Sequence, residues 1–561
     1  MYEVFCYFDF LQKILKLFFF LVLAVIVSIN AGPVLNDGLP SRYHVSGVIQ
    51  LPYAEISEPF ESWIDVQAGF SRIDYYGGAA KTVQRKGRGG EDFGANYKIV
   101  PMSDEQVLNK ISCFQANGSK EDLVDVQHTI PDLTTFEDLG PAEWRGIKCQ
   151  MYQTVDQVGD KKSTYTYYVN SANKHPVHYE MFGYDSLIGS HFDKYTIDYY
   201  NYDEDSIDPT IFHVTDSMTC TGFPGPGLDH TSPRVLFNPM SEYINRHGEE
   251  HLESSFEQFK NKHGHKYESD HEHRQRLKIF RSNVRYINTR NRAALSYKMK
   301  LNKFADRTDD ELRVLRGRRH TKGYNGGLPF PKEEFASSNV AIPDSIDWRI
   351  MGAVTPVKDQ GICGSCWSFG TTGAIEGAYF VKHGTIVRLS EQDLIDCSWG
   401  FGNNGCDGGE DFRAYQYIMK HGGIALEDEY GPYLQEDSFC HHDNTTKGAK
   451  ILGYVNITEG DEDALQIAIA TKGPVSVAID AAHKGFLFYA SGVFYDPDCG
   501  NTPEALDHAV LAVGYGTLYG QDYWLVKNSW STYWGNDGYV LMSRKNNNCG
   551  VATAATYVII Q

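Results

Sequence analysis

Residues 360–367 read Gln360-Gly361-Ile362-Cys363-Gly364-Ser365-Cys366-Trp367, and this stretch decides the fold of the C-terminal part of the chain. Its two glycines predict a turn, and the apolar residues at 374, 375, 378 and 379 that follow have the spacing of a helix. A cysteine at the start of a helix lies at the positive end of the helix dipole, which favours the thiolate over the thiol. We therefore predict that Cys366 is a nucleophile at a junction between a turn and a helix.

A nucleophilic thiolate needs a base and a group that orients that base. His508 stands in an apolar, strand-like stretch downstream of Cys366, and Asn528 follows just before Ser529 and Trp530. Each residue alone has a simpler interpretation, a buried structural histidine and an asparagine in a turn. Their joint occurrence, in this order after this cysteine, favours a catalytic group of Cys366, His508 and Asn528.

The cysteine count is compatible with this choice. Of the 11 cysteines, Cys6 lies beside the N-terminal apolar run and seven follow residue 360. In an oxidising compartment this odd number predicts three disulfides and one thiol held back. The alternative is that all seven are ordinary bridge or core cysteines, so the count by itself does not single out Cys366.

The start of the chain has the pattern of a secretory signal. Lys13 and Lys16 precede an apolar run at 17–29, and Ala31 provides the small residue of a cleavage site. The run is shorter than the ~20 residues of a membrane-spanning helix, so we predict a cleaved signal at 1–31 rather than an anchor. We expect a protein of the lysosome or a secretory granule, or one secreted from the cell, with no stable membrane span. Glycosylation sequons that agree with export begin at Asn117, Asn444 and Asn456.

The composition argues against a disordered chain and against a nucleic-acid-binding protein. A hydrophobic fraction of 42% and a charged fraction of 22% are those of a folded protein, and 561 residues favour several domains. The formal net charge of -20 argues against a nucleic-acid partner, because phosphate binding needs a concentrated Lys and Arg surface.

Four regions follow the signal. Tyrosine-rich residues that alternate with polar ones predict a β-rich antiparallel domain at 32–220, and prolines and glycines predict a linker at 221–244. Charged residues with helical periodicity occupy 245–340, and 341–561 mixes helical and strand-like stretches at domain size. Within the third region we expect residues 316–319 and the glycine-rich stretch 323–327 to form an exposed, protease-sensitive connector.

The run Cys363-Gly364-Ser365-Cys366-Trp367 resembles the local signature of the papain family of cysteine proteases, in particular its cathepsin L branch. The spacing from Cys366 to His508 also lies within the ~130–150 residues typical of that family. The resemblance implies an α+β fold for the peptidase domain at 341–561, with a helical left lobe and a β-barrel-like right lobe. No cofactor or metal is implied.

The same resemblance implies a role for each site residue. Cys366 would attack the peptide carbonyl, and His508 would form an ion pair with it and protonate the leaving amine. Asn528 would orient the imidazole, while Trp530 would shield the contact between them from water. The side chain of Gln360 and the backbone N–H of Cys366 would form the oxyanion hole.

A disulfide pattern is also implied by the resemblance. The implied pairs are Cys363–Cys406, Cys397–Cys440 and Cys499–Cys549, which leave Cys366 as the free thiol. For Cys113, Cys149 and Cys220 in the β-rich domain no pairing is implied, so a free thiol and a bridge elsewhere both stay open.

The dominant substrate pocket of this family, S2, receives the second side chain before the scissile bond. The residues that match its walls are Glu410, Asp411, Ala478, Leu506, Ala509 and Ala555. The first two are acidic where cathepsin L-like enzymes carry apolar residues. If they face the pocket, we expect Lys or Arg to be accepted there; if they face solvent, they have no such effect. The sequence also lacks the long cysteine-flanked insertion that blocks the cleft of cathepsin B, which favours endopeptidase action.

A helix in the third region carries six residues at spacings of four, four, three, four and four. They are Glu272, Arg276, Phe280, Asn283, Ile287 and Asn291. This pattern resembles the propeptide motif of cathepsin L-like zymogens, and the next family element appears as Asn302, Phe304 and Asp306 with Lys300 in place of its glycine. The resemblance implies that 245–340 is an inhibitory prosegment, which runs backwards through the active-site cleft.

The whole chain resembles the two-chain cysteine proteinase precursors of insect blood cells, which carry a similar β-rich region in front. We therefore expect a cysteine endopeptidase that is made as a zymogen, acts on proteins and peptides, and keeps its N-terminal fragment bound to the catalytic chain as a heterodimer. The alternative is a binding or carrier protein that acts through its N-terminal β domain and has a vestigial protease fold.

Overall fold

The computed structural model describes residues 39–103, 106–214, 218–222, 237–246, 250–337 and 341–561. They form an N-terminal β domain, a prosegment and a C-terminal catalytic unit, so the expected α+β architecture is confirmed. The expected signal at 1–31 lies outside the described residues. Among the described helices, none combines the length and the apolar character that a membrane span requires.

The N-terminal β domain is a single antiparallel sheet of 11 strands in the order β6-β5-β4-β3-β2-β1-β11-β10-β9-β8-β7. Its first and last strands are paired at the centre of the sheet. The strands are β1 (Arg42–Leu51), β2 (Ile56–Asp65), β3 (Phe70–Tyr75), β4 (Ala80–Arg85), β5 (Ala95–Met102), β6 (Lys110–Asn117), β7 (Glu137–Trp144), β8 (Ile147–Val158), β9 (Lys161–Asn170), β10 (Pro176–Asp185) and β11 (Ser190–Asp203).

The alternation seen in the sequence sets the two faces of this sheet. In β1, residues 43, 45, 47, 49 and 51 are buried and their neighbours are partly exposed. Tyr43, Tyr75 and Tyr179 have no exposed surface, so one face forms a tyrosine-rich core. Gly47 is required at its position, because a Cβ there would lie 2.6 Å from the Asp198 carbonyl oxygen of β11.

Two segments cross the buried face and complete this core. In the first, Thr129 donates its N–H to the Tyr43 hydroxyl at 2.9 Å and accepts from the Tyr199 hydroxyl at 2.8 Å. The second is residues 237–246 with the short helix α1 (Ser241–Ile244), in which Tyr243 is buried and accepts from Tyr195 at 2.8 Å. The linker expected at 221–244 therefore differs from the structure at its end. Its prolines interrupt the periodicity, but its last apolar residues pack into the N-terminal core.

The structure pairs Cys113 with Cys220, which attaches the chain after β11 to strand β6. Cys149 is a buried free thiol. These two observations answer the question that the sequence left open about the three cysteines of this domain.

The prosegment contains two long helices, in line with the helical periodicity expected there, and several short elements. These are α2 (Glu250–His263), α3 (Asp270–Arg292), β12 (Tyr297–Met299), α4 (Asp309–Arg313), β13 (Leu328–Pro329) and α5 (Lys332–Ser337). The Ser269 hydroxyl caps α3 by accepting from the Glu272 N–H at 3.2 Å. Phe280 of α3 packs on Phe256 and Phe259 of α2, with ring centroids 5.1 and 5.0 Å apart.

The catalytic unit places a helical lobe against a twisted sheet. Its helices are α6 (Trp348–Met351), α7 (Cys366–His383), α8 (Glu391–Cys397), α9 (Asp411–His421), α10 (Glu427–Tyr430), α11 (Glu462–Lys472) and α12 (Lys484–Leu487). Its strands are β14 (Ile346–Asp347), β15 (Ile424–Ala425), β16 (Lys447–Ala449), β17 (Ile451–Asn456), β18 (Val475–Ile479), β19 (Tyr489–Phe494), β20 (His508–Leu518), β21 (Gln521–Lys527), β22 (Tyr539–Ser543) and β23 (Thr556–Ile560).

The main sheet of the catalytic unit has the order β12-β19-β22-β21-β20-β18-β23-β17-β13, with β14 beside β20. Its two outermost strands, β12 and β13, belong to the prosegment. The prosegment is therefore bound to both ends of the catalytic sheet by backbone hydrogen bonds.

The disulfides of the catalytic unit are Cys363–Cys406, Cys397–Cys440 and Cys499–Cys549, the same pairs that the family resemblance implied. Among the sequons, Asn117 and Asn444 are exposed. Asn456 is partly buried and donates to the Asn325 side chain at 2.7 Å, so the connector covers it in this form of the chain.

Candidate active site

The three expected catalytic residues come from three elements that meet between the helical lobe and the sheet. Cys366 is the first residue of α7, His508 is the first residue of β20, and Asn528 follows β21. The Nε2 atom of His508 lies 2.8 Å from Asn528 Oδ1, and the Ala509 N–H points at the Cys366 sulfur at 3.4 Å. The hydrogen bond to Asn528 leaves Nδ1 as the ring nitrogen that can take the thiol proton.

Trp530 covers the contact between His508 and Asn528. Its ring centroid lies 4.8 Å from that of His508, and the indole is almost completely buried. On its other sides it contacts Phe486 of the catalytic unit and Phe304 of the prosegment, at 5.6 and 5.7 Å. The placement fits a residue that keeps water away from the imidazole.

Gln360 has the position and the orientation of an oxyanion-hole donor. Its side-chain oxygen accepts from the Ser529 hydroxyl at 2.7 Å, which turns the amide nitrogen toward the cleft. That nitrogen donates to the Leu315 carbonyl of the prosegment at 3.0 Å and to the Cys363 carbonyl at 2.8 Å. A prosegment carbonyl thus lies against the amide that we expect to polarise a substrate carbonyl. Ser529 is a positioning residue that sequence analysis missed, although it stands next to Asn528.

The prosegment passes directly over the thiol. At Gly317, an added Cβ would lie 1.8 Å from the Gly364 carbonyl oxygen, so only glycine allows this approach. The chain continues beside Gly409, which donates to the Gly317 carbonyl at 2.9 Å and accepts from the Arg319 N–H at 3.0 Å. The backbone of the prosegment therefore fills the cleft as a peptide would.

The direction of the prosegment is opposite to that of a substrate. A substrate passes through S2 before its scissile carbonyl reaches the oxyanion hole. Here Leu315 is at Gln360, and Arg318, three residues later in the chain, reaches the S2 region. The expected backward path through the cleft is thus what the structure contains, and the peptide bonds over Cys366 are presented in reverse.

The prediction of an exposed connector at 316–319 is wrong for three of its four residues. Arg316, Gly317 and Arg318 are only partly exposed, because they lie in the cleft. Arg316 forms an ion pair with Asp507 at 3.1 Å, and Arg318 donates to the Leu506 carbonyl at 2.8 Å. The basic residues of this run favour an exposed position. Gly317 is the residue that could have indicated a close backbone contact, because it has no side chain.

Burial under the prosegment keeps both catalytic groups uncharged. Burial raises the pKa of the Cys366 thiol to about 11, although N–H groups of Ala509 and Gly317 oppose the shift. Burial also lowers the pKa of His508 to about 4, against the hydrogen bond to Asn528. In this form the chain has a thiol beside a neutral imidazole, and no ion pair.

Five of the six residues expected at S2 line a cavity of about 330 Å³ beside the first residue of α9. They are Glu410, Asp411, Ala478, Ala509 and Ala555, and Arg318 of the prosegment lines the same cavity. Leu506 does not line this cavity; it contributes its carbonyl to Arg318 instead.

The two acidic residues in this region have different partners. Glu410 is buried and accepts from the Thr321 N–H at 2.9 Å and from Arg413 at 3.1 Å. Asp411 accepts from the Thr556 hydroxyl at 2.6 Å, and burial raises the pKa of its carboxyl group. Both carboxylates therefore belong to the cleft and not to the solvent-exposed surface.

The motif residues of α3 hold the rest of the prosegment together. Asn283 donates to the Ala305 carbonyl at 2.8 Å, Asn291 exchanges two hydrogen bonds with Met299, and Arg276 pairs with Glu311. Phe280 and Ile287 are buried beneath them, and Glu272 binds Arg276 and the Glu268 N–H.

The second prosegment element contacts the catalytic unit directly. Asn302 donates to the Leu487 carbonyl at 2.7 Å, and Asp306 is bound by His265 at 2.7 Å. Burial opposes ionisation of Asp306, but its hydrogen bonds from His265 and Tyr267 lower its pKa overall. Lys300 is exposed and does not adopt a positive φ, so a lysine fits where the family element has glycine.

Comparison with known proteins decides the family. The profile described as "Papain family cysteine protease" matches residues 342–559, and "Cathepsin propeptide inhibitor domain (I29)" matches residues 256–312. The chain is 49% identical over 311 residues to "Digestive cysteine proteinase 1" of Homarus americanus, covering 54% of this chain and 94% of that protein. The chain belongs to the papain family of cysteine proteases.

Other papain-family relatives agree. "Cathepsin L" of Sarcophaga peregrina is 46% identical over 321 residues, which cover 54% of this chain and 92% of that protein. The structure of digestive procathepsin L2 proteinase from Tenebrio molitor larval midgut superposes with a TM-score of 0.52 at 38% identity, covering 55% of this chain and 99% of that one. The protein is a cathepsin L-like cysteine protease zymogen whose propeptide domain acts as an intramolecular inhibitor. The N-terminal sheet lies outside both profile matches, so the resemblance to the two-chain insect precursors stays a prediction.

We expect Gly317→Ala to weaken inhibition by the prosegment. The new methyl group cannot fit against Gly364, whose backbone is held by a hydrogen bond to Cys406 and by the adjacent disulfide, so the prosegment must move away from Cys366. Overpacking of this kind costs about 1–3 kcal/mol, which corresponds to autoactivation faster by about 5- to 150-fold. Gly400→Ala, where a Cβ meets open space, is the matched control. Equal activation rates for the two variants would contradict the steric role of Gly317.

We also expect Cys366 to be far less reactive in the zymogen than in the processed enzyme. Iodoacetamide attacks the thiolate, and the raised pKa of Cys366 leaves very little thiolate at pH 6. Labelling followed by peptide mass spectrometry should show alkylation of Cys366 slower by more than about a thousandfold before processing. Cys366→Ala controls for labelling of Cys149, the other free thiol among the described residues. Similar rates before and after processing would show that the prosegment does not control ionisation.

Proposed function

We propose that Cys366, His508, Asn528 and Gln360 perform the peptide hydrolysis of this protease once the prosegment leaves. Water then reaches the site, His508 Nδ1 takes the thiol proton, and the thiolate attacks the substrate carbonyl. The Gln360 amide and the Cys366 N–H stabilise the oxyanion, and the imidazolium of His508 donates its proton to the leaving amine. Water releases the acyl group in a second step. The contact from Gln360 Nε2 to the Leu315 carbonyl supports this assignment, because it shows the donor engaged by a peptide oxygen.

Endopeptidase action is supported by the course of the prosegment. The prosegment enters the cleft at Leu315, beside Gln360, and continues past Gly409. It reaches Thr321, whose N–H donates to the Glu410 carboxylate. A polypeptide can therefore extend out of the site in both directions. The intact catalytic group does not favour the alternative of a carrier protein with a vestigial protease fold.

The S2 pocket of the processed enzyme should prefer a basic side chain. The observation that carries this proposal is Arg318, which lines the S2 cavity together with Asp411 and Glu410 and donates to the Leu506 carbonyl at 2.8 Å. Burial lowers the pKa of its guanidinium, and the carboxylates of Asp411 and Glu410 oppose that shift. After the prosegment leaves, Glu410 keeps Arg413 as a partner, whereas Asp411 keeps a neutral hydroxyl from Thr556. Asp411 is thus the carboxylate that remains available to a substrate.

We further propose domain boundaries for the precursor after the signal, and a cellular compartment. The N-terminal β domain extends from about residue 32 to 246, the prosegment from there to 340, and the peptidase domain from 341 to 561. Four disulfides fit an oxidising compartment such as the lysosome or a secretory granule. The N-terminal fragment stays with the catalytic chain as a heterodimer after the first cleavage, as in the insect precursors that the chain resembles.

Replacing Gln360 by Ala tests the proposed oxyanion hole. Loss of one preorganised donor typically lowers kcat by about 100- to 1000-fold, with a smaller effect on KM. Gln521→Ala, at the far end of β21, is the matched control and should retain activity. A Gln360→Ala enzyme with unchanged kcat would remove this residue from the mechanism.

Peptide substrates that differ only in Arg or Leu at the S2 position test the pocket. For the wild-type enzyme we expect kcat/KM to favour Arg at pH 6, and Asp411→Asn should reduce the Arg to Leu ratio by about tenfold or more. Glu410→Gln should reduce it less, since Arg413 already neutralises that carboxylate.

The same ratio should depend on pH in a defined direction. Burial in the zymogen raises the pKa of Asp411. In the processed enzyme the carboxylate is charged above its pKa and becomes neutral as the pH falls through it. The preference for Arg should therefore decline on acidification in the wild type and stay flat in Asp411→Asn. A ratio that neither variant nor pH alters would refute a basic S2 preference.

A further inference from the structure

The prosegment helix α3 has a second face that the inhibitory motif does not use. Four arginines, Arg274, Arg281, Arg285 and Arg292, follow one another at spacings of seven, four and seven, which place them along one side of the helix. This arginine row faces the N-terminal β domain, whereas the motif residues contact the remainder of the prosegment. The helix therefore lies between two partners.

The strongest contact of the arginine row is with Glu58. Strand β2 alternates strictly, and Glu58 stands between Ile56 and Phe60 on its buried face, where it has no exposed surface. Its two carboxylate oxygens accept from Arg292 at 2.6 and 2.7 Å, and one of them also accepts from Thr289 at 3.3 Å. These hydrogen bonds come entirely from α3. While α3 covers Glu58, this buried carboxylate therefore depends on that helix for a charged partner.

Two further arginines repeat the pattern along the helix. Arg285 binds Asp193 of β11 at 2.6 and 2.8 Å and Glu242 of α1 at 2.6 Å, with all three side chains largely buried. Arg274 binds Asp185 of β10 at 3.0 Å and Asp160 at 3.1 Å. The acceptors thus come from both halves of the sheet and from the segment that completes its core.

Direct contact between the N-terminal β domain and the catalytic unit is weak by comparison. An ion pair between them, Lys484 with Glu55, has an N–O distance of 3.9 Å, and the Glu55 side chain is exposed. Beside it a cavity of about 710 Å³ lies between the β domain, α3 and the catalytic unit. Ion pairs of this exposed kind contribute little to binding. The β domain is therefore held against the catalytic unit through the prosegment helix.

We propose that the N-terminal β domain is the anchor of the inhibitory prosegment. The β domain and α3 form one body, which inhibits the catalytic unit for longer than a prosegment alone would and which stays on that unit or leaves it as a whole. This inference deepens the proposed heterodimer by naming α3 as the bridge through which the N-terminal fragment is retained. It also assigns a role to the part of the chain that lies outside the papain-family matches.

The test uses the full-length chain with Cys366→Ala, so that no self-digestion occurs. A recognition site for a sequence-specific protease is placed between Arg246 and Glu250, and a second, different site between Gly326 and Gly327. After the first cut at neutral pH, gel filtration should show the β domain still bound to the rest of the chain. Its dissociation at this stage would overturn the inference.

Variants on the helix side test the arginine row without altering the core of the β domain. Arg292→Gln leaves Glu58 buried without its charged partner, so the β domain should bind at least about a hundredfold more weakly after the first cut. Arg313→Gln, which removes an exposed pair with Asp310 inside the prosegment, is the matched control and should bind as the wild type does. Unchanged binding of Arg292→Gln would also overturn the inference.

The second cut separates the inference from the proposed heterodimer. If the β domain and the prosegment leave the catalytic unit together, the anchor role stands and retention as a heterodimer fails. If the β domain stays on the catalytic unit while the prosegment leaves, retention stands and the anchor role fails. If all three pieces stay together, retention stands, and the Arg292→Gln result decides whether α3 is the bridge.

Discussion

The zymogen depends on the contact between the backbone at Gly317 and the thiol of Cys366. Because the chain can approach Gly364 this closely only without a side chain, water is excluded from both catalytic groups. Their pKa values then shift in opposite directions, toward a neutral thiol and a neutral imidazole. The neighbouring contacts depend on the same approach: the Leu315 carbonyl reaches Gln360, and Arg318 reaches the S2 cavity. Inhibition therefore combines physical obstruction with loss of the charge that makes the cysteine nucleophilic.

Helix α3 connects the segment in the cleft with the N-terminal β domain. One face binds the segment that enters the cleft, through Asn283 and Asn291, and the other binds the N-terminal sheet through the arginine row. While α3 covers the sheet, loss of either partner of these pairs would leave the other charge buried and uncompensated. The anchor proposal rests on these pairs, which join a helix and a sheet from regions that look unrelated in sequence.

Much of the catalytic unit could be predicted because its chemistry lies in short runs. The turn before Cys366, the order of His508 and Asn528 and the six spaced residues of α3 are local patterns that the structure retains. The alternation of tyrosines likewise predicted an antiparallel sheet, and the buried face of β1 follows it. Local patterns failed where a segment packs against residues that are distant in sequence. The end of the linker packs into the β domain, and the basic run at 316–318 lies in the cleft and not on the surface.

The sequence by itself determined which residues are candidates for the nucleophile and its base, and that an inhibitory prosegment precedes them, because residue type and spacing along one chain are enough to state that chemistry. Only the tertiary structure decided which groups are charged, where Asp411 and Glu410 point, and what Glu58 binds. Those properties depend on burial and on contacts between residues far apart in the chain, such as Glu58 with Arg292 or Gln360 with Leu315. Side chains of the same type are exposed or desolvated according to the partner that folding places beside them. The spacing of residues along the chain does not identify that partner.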